Sequence, residues 1–139
     1  MKILVIGQAP PDVKQAVPYD TTMFYDWLGE IGIDKDTAQK MFIFDSVGTF
    51  FPGRSKGGHN KPSQEDMDSH WPELETKIQG VDKVWILGNV AYDYFSSKEK
   101  TWSCNLEVIK TIHPSRRNFS IYKDNKDAIL DHIKEFLNI

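Results

Sequence analysis

Two short polar segments near opposite ends of the chain carry residue types that can bind and act on a ligand. The first is Gly7-Gln8-Ala9-Pro10-Pro11, directly after the apolar run Ile3–Ile6. The second is His113-Pro114-Ser115-Arg116-Arg117-Asn118, directly after the strand-like run Val108–Ile112. Each segment predicts a tight turn at the end of a strand, and parallel strands present their carboxyl ends at the edge where open α/β folds bind ligands. We therefore expect both segments to contribute to one site.

The charge distribution agrees with an anionic ligand at that edge, although the net charge of −3 argues against broad nucleic-acid binding. Residues 53–63 contain Arg54, Lys56, His59 and Lys61 without an acid, and residues 113–123 contain His113, Arg116, Arg117 and Lys123 without an acid. An acidic protein with two such basic loops can still present a local face for phosphate groups.

The elements that position these segments are predicted by hydrophobic patterning. Four apolar runs, at residues 2–6, 41–44, 83–87 and 107–112, are typical of strands covered on both faces. Helical patterns lie between and after them, so the order is β-α-β-α-β-α-β-α. This order predicts an α/β fold of three layers (α/β/α), with a mainly parallel four-stranded sheet in one domain spanning residues 1–139.

Several helix boundaries are predicted from single residues. Ser63 is expected to cap a helix, with Asp66 completing a capping-box pattern. Pro72 inside that helix should kink or split it. Asn89 is expected to cap a short helix, and a final helix should begin near Asn125. Residues 46–62 are expected to form a long irregular loop, which in a compact domain is usually functional or mobile.

The ordered set of motifs resembles the uracil-DNA glycosylase superfamily, in which Gly-x-x-Pro follows the first strand and His-Pro-Ser follows the last. The middle of the chain, from Asp45-Ser46-Val47 through Phe51-Pro52-Gly53-Arg54 to Leu87-Gly88-Asn89-Val90-Ala91, is similar to the layout of family four. Members of that family carry four cysteines for an iron–sulfur cluster. This chain has one cysteine, Cys104, so we expect neither the cluster nor another cofactor.

The resemblance implies a monofunctional DNA glycosylase, which flips a base out of the stack and hydrolyses its N-glycosidic bond. In this scheme His113 donates to the base O2 as negative charge develops, Tyr19 stacks on the base, Ser115 holds phosphate, and Arg117 fills the gap that the base leaves. The remaining residues expected at the site are Gly7 and Ala9 for the base, and Arg54, Lys56, Arg116 and Asn89 for DNA. The alternatives are a turn and helix-capping role for Asn89, loop packing for Tyr19, and solvated loop charges for Arg116 and Arg117.

Two departures from the family pattern bear on activity and specificity. Gln8 and Ala9 stand where relatives place an acid, and Gln can orient water but cannot act as a general base, so Asp12 is the nearest candidate acid, followed by Asp20. Asp45 stands where the family uses Asn to recognise uracil. An ionised Asp repels uracil O4, whereas a protonated Asp suits cytosine. A one-residue shift would present Ser46 instead, and a structural role for Asp45 at the strand end is an open alternative.

The leading hypothesis is a glycosylase acting on uracil or another deaminated or modified base in single- or double-stranded DNA. The alternatives are a non-catalytic DNA- or base-binding module and a small nucleoside-processing enzyme. The four histidines, His59, His70, His113 and His132, show no metal-ligand spacing, so no metal is expected. No membrane-spanning run or signal peptide is visible, and we expect a cytoplasmic monomer.

Overall fold

The computed structural model describes residues 1–11, 21–55, 58–102 and 105–139, apart from the side chains of Lys100 and Arg116. Asp12, Tyr19, Asp20, Lys56 and Cys104 lie outside the described residues, so their expected roles stay predictions. In chain order the strands and α-helices are β1 (Ile3–Gly7), α1 (Thr22–Glu30), α2 (Lys35–Met41), β2 (Phe42–Ser46), β3 (Arg54–Ser55), β4 (Gly58–His59), α3 (Gln64–Gln79), β5 (Lys83–Leu87), α4 (Asn89–Ser97), β6 (Glu107–Thr111), α5 (Phe119–Asp124) and α6 (Lys126–Leu137).

Four of the strands form one parallel sheet in the order β2-β1-β5-β6. The four-stranded α/β fold expected from the sequence is therefore confirmed. β3 and β4 form a separate antiparallel pair, in which Arg54 lies opposite His59. This β3–β4 hairpin lies inside the segment expected to be irregular, so that expectation was wrong for its central part.

Alternating side chains of the central strands point into two apolar cores, one on each face of the sheet. Ile3 and Val5 pack with residues of α1, α2, α5 and α6, while Leu4 and Ile6 pack with residues of α3 and α4. All four strand residues are fully buried. Full burial of such a side chain contributes about 1.5–3 kcal/mol. The sheet is thus covered by helices on both faces, and the carboxyl ends of its strands remain available for a site.

The helix boundaries follow local chemistry, with two corrections to the sequence-based expectations. Ser63 caps α3 by accepting from the Asp66 N–H at 3.1 Å, as expected. Pro72 does not split α3, which runs through it as one helix of 16 residues. Asn89 is the first residue of α4 rather than its cap; Gly88 takes that position with φ +89°, a conformation that favours glycine.

Two short helices, α2 and α5, were not expected from the sequence. α2 begins after Asp34, whose carboxylate accepts from the Thr37 N–H at 2.7 Å. α5 follows the second polar segment and separates it from α6. Across the described ranges, none of the helices is long and apolar enough to cross a membrane.

Candidate functional site

The carboxyl ends of the four parallel strands lie along one edge of the sheet. Gly7 pairs with Ser46, and Leu87 pairs with Thr111. Because Ile6 of β1 pairs with Ile86 of β5, these ends are level across the sheet. Gly7 and Thr111 are therefore separated by two strand spacings, about 10 Å. This geometry brings the two polar turns to the same edge, on either side of β5.

The turn after β1 is held by the main chain that follows β2. The Val47 N–H donates to the Gly7 carbonyl at 3.0 Å, and the Gly48 N–H donates to the Gln8 carbonyl at 2.9 Å. The Gln8 side-chain amide donates to the Asn60 carbonyl at 3.1 Å. Since a carbonyl only accepts, this bond requires the amide nitrogen to face Asn60 and fixes the orientation of the half-buried Gln8 side chain.

The turn after β6 is positioned by hydrogen bonds on both sides of His113. Before it, the buried Thr111 hydroxyl accepts from the Trp85 indole N–H at 2.9 Å, and the Thr111 carbonyl accepts from the Gly88 N–H at 2.9 Å. After it, the Asn118 side chain donates to the His113 carbonyl at 2.9 Å, and the Asn118 N–H donates to the Ser115 carbonyl at 3.0 Å. The half-buried His113 and Ser115 are thus held on a braced turn.

The β3–β4 hairpin contacts both turns. The Asn60 carbonyl accepts the hydrogen bond from the Gln8 side chain, and the Asn60 N–H donates to the Gly53 carbonyl at 2.9 Å. At the other contact, the guanidinium of Arg117 lies against Gly58, where an added Cβ would overlap with Nη1. Gly58 also has φ +113°, which disfavours any side chain. The hairpin therefore connects the first polar segment to the second.

Asp45 lies on β2 with its carboxylate directed at α3. His70 Nε2 lies 2.9 Å from Oδ1, the Ser46 N–H donates to the same oxygen at 2.7 Å, and the Lys77 ammonium lies 2.5 Å from Oδ2. His70 also approaches Glu73, with 3.4 Å between Nδ1 and the carboxylate. Of the two roles considered for Asp45, this arrangement favours the structural one.

The charge state of Asp45 follows from these partners. Burial raises the pKa of the carboxyl, but the hydrogen bonds from Lys77, His70 and the Ser46 N–H outweigh it and hold the pKa below its usual value. Asp45 is therefore ionised at neutral pH. The protonated form considered for cytosine recognition is disfavoured, and a base-reading role for Asp45 stays a prediction.

The other residues expected at the site are distributed around this edge. Buried Gly7 and half-buried Ala9 lie at and after the end of β1, and exposed Arg54 lies on the hairpin. Exposed Asn89 begins α4, where its side-chain oxygen accepts from Lys110 at 3.0 Å. Buried Ser46, the alternative to Asp45, donates its hydroxyl to the Gly48 carbonyl at 2.7 Å. Among the described residues, no cluster of three or more His, Cys, Asp or Glu side chains is placed to hold a metal ion.

Sequence reasoning missed the residues that hold the site together. Asn60, Gly58, His70 and Lys77 act on Gln8, Arg117 or Asp45 across long sequence separations. The one available signal is the seven-residue spacing of His70 and Lys77, which places both on one face of a helix. Nothing in the local sequence marks Asn60 as the partner of Gln8.

The comparisons with known proteins agree with this fold. The model of the family described as "Uracil DNA glycosylase superfamily" matches residues 1–137. A crystal structure of wild-type SMUG2 from Pedobacter heparinus is similar in fold, with a TM-score of 0.56 and 14% identity over 99% of this chain and 76% of that one. A search of curated protein sequences gave no significant match. Because the family model spans all but the last two residues, this chain belongs to the uracil DNA glycosylase superfamily.

Proposed function

We propose that this protein is a monofunctional DNA glycosylase that excises uracil or another deaminated or modified base. The observation that carries the proposal is the placement of Gly7-Gln8 and His113 at one edge of the sheet, about 10 Å apart at their strand ends. A nucleotide flipped into this edge would lie between a water-orienting amide and a donor to the base. Superfamily membership supports DNA as the substrate.

The reaction is hydrolysis of the bond between the sugar C1′ and the base. As this bond breaks, its electron pair goes to the base and the sugar becomes oxocarbenium-like. Water adds to C1′ and loses a proton, and the departing base anion is protonated, which leaves an abasic site. His113 donates a hydrogen bond to the developing oxyanion of the base, and stabilisation of this kind is worth about 100- to 1000-fold in rate.

Gln8 has the role of placing the water. Its amide nitrogen is engaged by the Asn60 carbonyl, so its amide oxygen is the group that accepts a hydrogen bond from water. An amide cannot remove a proton, so Gln8 contributes position rather than base catalysis. Asp12, outside the described residues, remains the proposed acid of this segment.

Contacts to the DNA backbone come from the two basic loops. Arg54 is exposed on the hairpin. Arg117, which is proposed to fill the gap left by the flipped base, contacts the same hairpin from the turn after β6. Ser115, Asn89, Arg116 and Lys56 complete the proposed phosphate-binding set. Phosphate contacts release condensed counterions, so binding should weaken steeply with added salt.

A non-catalytic base- or DNA-binding module is the second candidate. Two observations favour it: Gln8-Ala9 offers no acid, and the Asp45 carboxylate is already paired with His70 and Lys77. Such a protein would bind a flipped base and release it unchanged.

The experiment is a cleavage panel of labelled oligonucleotides, single- and double-stranded, that carry uracil, hypoxanthine, xanthine, cytosine or a modified cytosine. Alkali then breaks any abasic site. His113→Ala is compared with His132→Ala, a control in which an exposed histidine of α6 is removed. We expect cleavage of at least one base by the parent protein and by His132→Ala, and a loss of about 100-fold or more in His113→Ala.

The other results discriminate between the alternatives. Salt-sensitive DNA binding without cleavage of any base would replace the glycosylase with the binding module. Absence of both cleavage and binding would overturn the DNA proposal and favour an enzyme acting on free nucleosides. Cleavage that persists in His113→Ala would refute the role given to His113.

A further inference from the structure

An exposed phenylalanine stands at the start of the basic hairpin segment. The side chain of Phe50 is 56% exposed, although large apolar side chains are usually buried. It follows directly on the loop that leaves β2 at the site edge. None of the roles assigned above uses it.

The residues on both sides of Phe50 are held by contacts with other parts of the chain. Before it, the Thr49 N–H donates at 2.9 Å to the buried carboxylate of Asp66, and the Thr49 hydroxyl bonds the same carboxylate. After it, the Phe51 ring packs against the edge of His59, with centroids 5.1 Å apart, and carries the Arg54 guanidinium 5.2 Å above its face. Phe50 is therefore displayed to solvent from an anchored loop, at low entropic cost for binding.

The chain segment that carries Phe50 is basic, although the Asp66 carboxylate binds the neighbouring Thr49. Residues 46–64 contain no Asp or Glu, although the chain as a whole has more acids than bases. Arg54 and His59 lie on the hairpin next to Phe51, and Arg117 contacts the same hairpin at Gly58. An aromatic face among cations is the combination that binds single-stranded nucleic acid, because bases stack on the ring while the cations meet the phosphates. An apolar protein partner would not require this charge.

We propose that Phe50 is a stacking platform for an unstacked base of single-stranded or locally opened DNA, next to the base that the site engages. The inference rests on the proposed DNA substrate and adds a determinant of strand preference. Stacking on Phe50 stabilises only a base that is already unstacked from the DNA duplex. The protein should therefore bind single-stranded or opened DNA more tightly than a fully paired duplex. Arg54 holds the adjoining phosphate.

The test uses oligonucleotides that contain the fluorescent base aminopurine and no cleavable base, so that binding is measured apart from catalysis. Affinity and fluorescence quenching are compared for a single strand and for the matched duplex. The variants are Phe50→Ala, Phe50→Leu, which keeps apolar bulk without a π face, and Phe50→Trp, which keeps the face. Ile139→Ala is the matched control, because Ile139 is 57% exposed and lies far from the site. It follows α6, and the Phe136 carbonyl of α6 contacts Lys83 at the amino end of β5.

We expect Phe50→Ala and Phe50→Leu to lose roughly fivefold or more in single-strand affinity, together with the quenching, whereas Phe50→Trp and Ile139→Ala retain both. Unchanged affinity and quenching in Phe50→Ala would overturn the inference. The two proposals can fail separately. If fluorescence quenching depends on Phe50 but no base is cleaved, the stacking role of Phe50 is supported and the glycosylase proposal is overturned. If a base is cleaved but Phe50→Ala leaves affinity and quenching unchanged, the glycosylase proposal is supported and the stacking role of Phe50 is overturned.

Discussion

The side-chain amide of Gln8 donates a 3.1 Å hydrogen bond to the main-chain carbonyl of Asn60. This contact ties the turn after β1 to the β3–β4 hairpin, whose other end meets Arg117 at Gly58. One side chain thereby sets both the orientation of its own amide oxygen and the position of a basic hairpin. In the proposed reaction these are the parts that place water and DNA.

Replacing Gln8 should affect turnover more than binding, because the water-orienting amide oxygen acts in the chemical step. Gln8→Ala removes both the hairpin contact and the water-orienting oxygen, so we expect kcat on the best substrate to fall by up to about 100-fold, with a smaller change in KM. Gln8→Glu places a carboxylate against the Asn60 carbonyl, where two acceptors repel, so we expect it to be impaired at neutral pH as well. Steady-state kinetics measures kcat and KM for both variants against Gln79→Ala, at an exposed glutamine of α3. Unchanged kcat in Gln8→Ala would remove Gln8 from the mechanism.

The sheet and its main helices could be predicted from the sequence because they depend on local patterns. Buried strands require continuous apolar runs, and Ile3–Ile6 is such a run. The cap at Ser63 was predicted because its partner, the Asp66 N–H, is three residues away. The two polar turns could be placed at one edge because parallel strands end on the same side.

The contacts that organise the site could not be predicted in this way. The Asp45 carboxylate contacts His70 and Lys77, which are 25 and 32 residues away in the sequence. No local sequence pattern predicts that Asp45 contacts these side chains and not a bound base. Asn89 has the usual properties of a cap, yet Gly88 takes that position with φ +89°, a conformation that favours glycine. Such outcomes depend on tertiary packing, which determines the neighbours that each polar group meets.

The contact between Gly58 and Arg117 gives a stability prediction. Gly58→Ala should destabilise the fold by about 1–3 kcal/mol, because φ is +113° and the new Cβ would displace the Arg117 guanidinium. Gly32→Ala is the matched control, since Gly32 has φ +88° and no atom within 4 Å of the added Cβ. Urea unfolding measures the difference between the two variants. A loss in Gly58→Ala no greater than in Gly32→Ala would show that the Arg117 contact contributes nothing beyond backbone strain.

The proline inside α3 gives a prediction of opposite sign. Pro72 has no N–H to donate to the carbonyl of Asp68, four residues before it, and its side chain is exposed. Pro72→Ala restores that donor and raises helix propensity, which outweighs the freedom regained by the unfolded chain. We therefore expect a gain of about 1–2 kcal/mol in the free energy of unfolding. Equal or lower stability in the variant would indicate that packing around α3 depends on the proline.

The Asp45 cluster predicts how stability depends on pH. The folded pKa of Asp45 lies below the unfolded value of 3.8, so its ionised form stabilises the native state. This contribution is fully present above about pH 5 and is lost as the pH falls below 3.8 through the folded pKa. Asp45→Asn should lower the free energy of unfolding by about 1–3 kcal/mol at neutral pH. The NH₂ group of Asn would stand where a carboxylate oxygen accepts a hydrogen bond, so two donors would face each other.

The same variant should lose less stability on acidification, so the two proteins should approach each other in stability below pH 3.8. Urea unfolding at a series of pH values measures this convergence, with Asp131→Asn, at an exposed position of α6, as the control. A constant difference between parent and Asp45→Asn at every pH would mean that the effect comes from packing and not from the charge of Asp45. Convergence would instead show that the Asp45 carboxylate stabilises the fold through its charge, in the contacts with Lys77 and His70.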